Sequence, residues 1–219
     1  MEYIASEHIN KFFDDLNKSG IQYVLIKNIG GELPNYLEDG KDIDILVLNS
    51  EQGRFSQFMK EHDFESLDPP MGRKNGWNFA YRLPEYQFWK KRNIKYTFYI
   101  DASFKLACKS LMPNMWIPLD QKINNDIWKN KVFDSKNNWW IMDEKTIFVY
   151  MIARSILDKH MFKDVYISDI EKKRFLLDDA EIREKLSLIF FKYTDHLIEL
   201  IKNGSYATIF DDYIAFTEY

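Results

Sequence analysis

The sequence has 219 residues with 34 acidic and 30 basic side chains, and its net charge of -4 argues against a protein that binds duplex nucleic acid through charge. Apolar residues make up 46% and aromatic residues 16% of the chain, which excludes a disordered protein and suffices for a packed core. Cys108 is the single cysteine, so an intrachain disulfide framework and a multi-cysteine metal site are excluded.

The chain has no segment that is typical of membrane insertion or export. Its longest uninterrupted apolar run, residues 147–153, is too short to span a bilayer. Acidic residues occupy the N-terminal region where a secretory signal needs an apolar stretch: Glu2, Glu7, Asp14 and Asp15. We therefore expect a cytoplasmic protein without membrane insertion.

Glycine and proline are concentrated in the first half of the chain. Seven of the eight glycines lie at or before Gly76, and all six prolines lie at or before Pro118. Because both residues punctuate turns and interrupt helices, we expect strands and helices joined by loops first and helices afterwards. The sequence therefore predicts two lobes, 1–118 and 119–219, the second a small helical bundle.

The first lobe begins with a helix and continues with two strands. Four apolar residues at helical spacing predict an opening helix with a stop at Gly20: Ile9, Phe12, Phe13 and Leu16. Residues 22–27 are β-branched and aromatic and predict a buried strand. Residues 42–48 alternate and then continue apolar, as expected of a central strand covered on both faces.

A second helix, two more strands and the helices of the second lobe follow. Phe55, Phe58, Met59 and His62 mark a second amphipathic helix, and residues 77–83 and 94–104 are strand candidates separated by a hairpin loop or an excursion. In the second lobe we expect a helix over 143–159. One longer helix is predicted by apolar residues three or four apart: Ile182, Leu186, Ile189, Phe190, Tyr193, Leu197 and Ile201.

The most informative stretch is Gly30-Gly31 followed, after ten residues, by Asp42-Ile43-Asp44. On a strand, Asp42 and Asp44 point to the same face with Cα atoms about 6.5 Å apart. Two neighbouring carboxylates repel each other unless a cation lies between them, and their hard oxygens suit Mg²⁺. Glycines would let the backbone approach phosphate groups closely. The stretch therefore predicts a site for metal and phosphate.

This spacing resembles the signature of the nucleotidyltransferase superfamily with the DNA polymerase beta-like fold. Over residues 20–105 the sequence is similar to bacterial nucleotidyltransferase-like proteins of surface-polysaccharide biosynthesis. The resemblance implies an α+β fold, in which a nucleotidyltransferase-type mixed sheet flanked by helices precedes a mainly helical C-terminal lobe. It also implies a third carboxylate on a later strand, and the best candidate is Asp101.

The activity implied by the resemblance is Mg²⁺-dependent transfer of a nucleoside monophosphate from a nucleoside triphosphate to a hydroxyl group of a small molecule or glycan precursor. Asp42, Asp44 and Asp101 would hold one or two Mg²⁺ ions and carry catalysis. Gly30, Gly31 and Lys27 would contact the nucleotide. Further candidates for triphosphate contacts are Lys41, Arg73 and Lys74.

Two alternatives stay open at this point. The first is a toxin-like nucleotidyltransferase that modifies transfer RNA or protein, although the acidic composition argues mildly against RNA. The second is a non-catalytic binding module, since Gly30-Gly31 stands later than in many relatives, where such a pair directly follows the first strand. Asp101 taken alone could equally be a capping or loop-anchoring carboxylate.

Overall fold

The computed structural model describes residues 2–28, 30–67, 78–79, 86–109 and 115–218. It has an α+β architecture with a seven-stranded mixed sheet, a three-stranded sheet and several packed helices, which confirms the predicted class. Among the described residues, no helix combines the length and the apolar character needed to cross a membrane.

The strands in chain order are β1 (Tyr23–Leu25), β2 (Asp42–Val47), β3 (Phe64–Leu67), β4 (Asn78–Phe79), β5 (Gln87–Lys91), β6 (Tyr99–Ser103), β7 (Ala107–Lys109), β8 (Met115–Pro118), β9 (Val132–Asp134) and β10 (Trp139–Ile141). The large sheet has the order β3-β5-β6-β2-β1-β10-β9, and the small sheet has the order β4-β8-β7. In the large sheet, β2 and β6 are parallel, as are β1 and β10, whereas the other neighbours are antiparallel.

The helices are α1 (Ser6–Ser19), α2 (Gln52–Glu61), α3 (Gln121–Asn130), α4 (Glu144–Leu157), α5 (Asp164–Lys172), α6 (Ala180–Phe190), α7 (Thr194–Lys202) and α8 (Ile209–Ala215). Short 3-10 turns cover Asn49–Glu51, Arg174–Asp178 and Phe191–Tyr193. The predicted opening helix is confirmed: its four apolar residues are buried, and Gly20 ends it in the left-handed conformation at φ 72°.

The large sheet separates two apolar cores, and β2 contributes to both. Ile43 and Ile45 belong to the core that includes α1 and α2, whereas Leu46 belongs to the core formed with α4 and the later helices. Because side chains alternate along a strand, Asp42 and Asp44 lie on the face of Leu46. The apolar pattern of β2 therefore turns both carboxylates toward α4.

Three sequence predictions differ from the observed strands. Strand β5 lies inside residues 84–93, which were expected to form a loop or an excursion, and the strand predicted over 94–104 is confined to Tyr99–Ser103. Most of the strand predicted over 77–83 lies outside the described residues. Strands β9 and β10 follow residue 119 and extend the large sheet across the predicted boundary between the lobes.

The crossing of that boundary has a packing reason. Strand β10 pairs in parallel with β1, with Leu25 opposite Ile141. This pairing buries Trp139 against Phe13 of α1, with ring centroids 5.0 Å apart. Three-residue strands carry too few positions for an alternating pattern, so the sequence gives them no signal.

The single long helix predicted over 182–201 is wrong, because the chain turns at Phe191. This residue has φ 50° and ψ -129°, a conformation that side chains other than glycine rarely adopt. The turn starts α7 in a new direction while Phe190, Tyr193 and Leu197 all stay buried in one core. Apolar spacing alone cannot distinguish this arrangement from a continuous helix.

We expect Phe191→Gly to stabilise the protein by about 1 kcal/mol, because glycine adopts this backbone conformation without a steric penalty. The residue is 65% exposed, so little packing is lost. Urea unfolding followed by circular dichroism measures the change. A matched control is Phe175→Gly, since Phe175 is 67% exposed and is absent from the positive-φ positions. A Phe191→Gly variant no more stable than the control would contradict the interpretation.

Candidate functional site

The structure brings the three predicted carboxylates together. Strands β2 and β6 are parallel neighbours, and their register places Asp44 directly beside Asp101. Asp42 lies two residues earlier on the same face of β2. One carboxylate oxygen from each of the three residues lies within 4.8 Å of the others. Asp101 therefore faces the same space as the Asp42 and Asp44 pair.

The charges of this cluster fit a shared divalent cation. Burial and the neighbouring charge of Asp44 raise the pKa of Asp42. The same two causes raise the pKa of Asp101 well above its usual range. A cation held between the carboxylates would remove this repulsion, and three hard oxygen donors suit Mg²⁺. Asp42, Asp44 and Asp101 could therefore hold a metal ion.

Lys27 lies at this cluster as its counter-charge. It follows β1, which pairs with β2, and its Nζ is 2.6 Å from Oδ2 of Asp44. Its positive charge lowers the pKa of Asp42 and of Asp101, although burial outweighs this effect in both. Lys27 thus contacts the predicted metal ligand Asp44 directly.

The glycine pair forms a turn beside the site. Gly30 and Gly31 have positive φ angles of 95° and 70°. The Gly31 amide donates to the carbonyl oxygen of Asn28 at 3.1 Å, so it is engaged within the turn. Gly30 lines a cavity of about 460 Å³ that also reaches Lys27. A Cβ on Gly30 would lie 3.9 Å from Cγ2 of Val165, so this turn lies close to α5.

A second cavity, of about 310 Å³, contains the carboxylates Asp42 and Asp44. Glu32 adds a third acidic side chain to its wall. Five cationic side chains line the same space: Lys27, Lys41, Arg154, Lys159 and Lys163. Two of the predicted triphosphate contacts, Arg73 and Lys74, lie outside the described residues. The cavity therefore combines an acidic cluster, which suits a metal, with an excess of positive charge.

Tyr86 contacts the third carboxylate. Its side chain hydrogen-bonds to Asp101, and burial together with the Asp101 charge raises the pKa of Tyr86. The phenol is therefore protonated at neutral pH and donates to the carboxylate. Both residues line a small cavity of about 40 Å³, to which Arg154 also belongs. Arg154 thus reaches both sides of the carboxylate cluster.

Sequence reasoning missed Tyr86, Arg154, Lys159 and Lys163. For Arg154 a signal was present: Tyr150, Arg154 and Asp158 are spaced by four residues, so one face near the end of α4 is polar within an otherwise apolar helix. The four missed residues have no local motif that connects them with Asp42 or Asp44.

Comparison of the chain with models of known protein families, and with curated proteins, finds no match.

Proposed function

We propose that the protein is a Mg²⁺-dependent nucleotidyltransferase that moves a nucleoside monophosphate from a nucleoside triphosphate to a hydroxyl group of a small-molecule or glycan-precursor acceptor. The observation that carries the proposal is the convergence of Asp42, Asp44 and Asp101 on two parallel strands. The motif resemblance and the cations in the adjoining cavity support it further.

The proposed reaction is an in-line displacement at phosphorus. The acceptor oxygen attacks the α-phosphorus, the bond from that phosphorus to the oxygen bridging to the β-phosphate breaks, and pyrophosphate leaves. Mg²⁺ held by the three carboxylates would neutralise the triphosphate charge and lower the pKa of the acceptor hydroxyl.

The side chains around the metal ligands have separate tasks in this scheme. Asp101 lies beside the other two carboxylates, where it could accept the proton of the acceptor hydroxyl, and the hydrogen bond from Tyr86 orients its carboxylate. Lys27 balances the charge of Asp44 and lies where it could contact a phosphate oxygen.

A thermal-shift panel tests the proposal directly. We expect one of ATP, GTP, CTP or UTP to stabilise the wild-type protein only with Mg²⁺, by about 2.7 kcal/mol at a hundred times its Kd. Asp44→Asn should lose this stabilisation, because the variant removes a metal ligand at nearly constant volume.

Asp63→Asn is the matched control for this panel. The substitution removes the same charge as Asp44→Asn, but at an exposed position outside the cavity. Asp63 has a φ of 58°, which asparagine tolerates. The control should respond like the wild type. If no triphosphate stabilises the wild-type protein with Mg²⁺, the proposal fails and a non-catalytic binding module is favoured. Equal stabilisation of Asp44→Asn and wild type would also contradict it.

A further inference from the structure

We propose that Arg154, Lys159 and Lys163, called the cationic wall below, bind the polyphosphate chain of the substrate. This assigns a binding role to the C-terminal half of the protein, where no site residue was predicted from the sequence. The identity of the ligand as a nucleotide rests on the proposed function. The binding of a multiply charged anion is inferred from the cationic wall itself.

The cationic wall is built by consecutive parts of one helical hairpin. Arg154 lies in the last turn of α4, Lys159 follows the end of that helix, and Lys163 is the residue that precedes α5. All three side chains line the 310 Å³ cavity that also contains Asp42 and Asp44. A ligand in this cavity therefore contacts the strand carboxylates and the helical hairpin together.

The two lysines of the wall are not neutralised by the protein. In the part of the chain that the structure describes, neither Lys159 nor Lys163 forms an ion pair, whereas many other lysines do. Burial, followed by the positive charges of Arg154, Lys163 and Lys27, lowers the pKa of Lys159. Lysines that lie together at a cavity without ion-pair partners favour the binding of an anion.

Arg154 has hydrogen-bonding capacity that the protein does not use. Its side chain is only 13% exposed, and its Nε is buried with no hydrogen-bond partner among the described residues. One terminal nitrogen, Nη1, donates to the Tyr150 hydroxyl at 3.2 Å and lies 3.6 Å from Oδ2 of Asp158. A planar guanidinium with free donors is well suited to phosphate oxygens.

The combination of charges selects the class of ligand. Asp158 partly balances Arg154, but Lys159 and Lys163 form no ion pair among the described residues. The wall therefore favours an anion with several charges over a single carboxylate or a neutral sugar. The neighbouring acidic cluster would repel such an anion unless a divalent cation came with it. A polyphosphate bound together with Mg²⁺ satisfies both parts of the cavity.

Calorimetric titration with inorganic tripolyphosphate and Mg²⁺ tests the wall without a nucleotide. We expect Lys159→Gln/Lys163→Gln to bind tripolyphosphate about 10–100-fold more weakly than the wild type, since two charged contacts are lost and solvent weakens the one made by the exposed Lys163. Lys159→Arg/Lys163→Arg keeps both charges and should retain most of the affinity. Lys129→Gln/Lys136→Gln removes the same charge from exposed positions outside the cavity and should stay within about twofold of the wild type.

The outcomes separate this inference from the proposed function. If a triphosphate stabilises the protein through Asp44 while the glutamine double variant binds tripolyphosphate as tightly as the wild type, the proposed role of the cationic wall is refuted and the proposed function stands. Absence of tripolyphosphate binding by the wild type also refutes the role of the wall. If tripolyphosphate binding depends on both lysines but no nucleotide binds, the wall stands and the nucleotidyltransferase proposal fails. Circular dichroism of each variant establishes that the fold is retained.

Discussion

The Asp101→Asn variant is expected to melt at a higher temperature than the wild-type protein without metal, and to lose the advantage when Mg²⁺ and the triphosphate are added. In the metal-free protein, Asp101 is held beside Asp42 and Asp44, so folding forces like charges together. Asparagine removes one of these charges at nearly constant volume and can still accept the hydrogen bond from Tyr86. The loss of one ligand should weaken Mg²⁺-dependent binding of the triphosphate about 10–100-fold, as expected for a charge-assisted contact of about 1.5–3 kcal/mol.

The pH dependence of this effect has a definite sign. The folded protein raises the pKa of Asp101 and of Asp42, whereas an unfolded chain has an aspartate pKa of about 3.9. At pH values between the unfolded pKa and the raised folded pKa, the folded state binds more protons than the unfolded state, so the stability of the wild type falls as the pH rises. The stability advantage of Asp101→Asn over the wild type should therefore be small near pH 4 and increase toward the raised pKa of Asp101.

Thermal melts from pH 4.5 to 8, with a chelator or with Mg²⁺ and the triphosphate, measure both effects. Asp63→Asn again serves as the control, and its melting temperature should follow the wild type under all conditions. A metal-free Asp101→Asn protein that is less stable than the wild type at neutral pH would show that the carboxylate is structural. This outcome would support the alternative in which Asp101 anchors a loop.

The carboxylate cluster was predictable because its signal is local. Asp42 and Asp44 share a face in any strand, and an apolar pattern flanks Asp101 in a second strand. Only the adjacency of the two strands had to be supplied, by the resemblance to the nucleotidyltransferase superfamily. The register that places Asp44 beside Asp101 now provides that adjacency from the structure.

The rest of the cavity was not predictable for the opposite reason. Arg154 is 110 positions after Asp44, and its approach depends on how α4 packs against the sheet. Packing of this kind is encoded by the apolar residues of α4 collectively, and no short pattern reports it. The glycine pair illustrates the same limit: a close approach of its backbone to phosphate groups was expected, whereas the engagement of the Gly31 amide by Asn28 depends on the local turn.

The Arg154→Met variant is expected to lose about 3 kcal/mol of stability, which is the largest effect on folding that we predict. The carboxylate of Asp158 is only 2% exposed and lies 3.6 Å from the Arg154 guanidinium. Removal of one partner of a buried ion pair leaves the other charge without compensation, at about 3–5 kcal/mol. The backbone amide of Lys109, which donates to Asp158 at 2.6 Å, offsets part of this cost.

The double variant Arg154→Met/Asp158→Asn separates the charge effect from the loss of packing. Asparagine can still accept the hydrogen bond from Lys109, and no buried charge remains, so most of the stability lost in Arg154→Met should return. Urea unfolding of the wild type, both single variants and the double variant gives the coupling energy. A double variant as unstable as Arg154→Met would mean that Arg154 acts through packing alone.

Recovery of stability without recovery of tripolyphosphate binding is the expected pattern, because Asp158 balances Arg154 in the fold whereas the guanidinium itself contacts the anion.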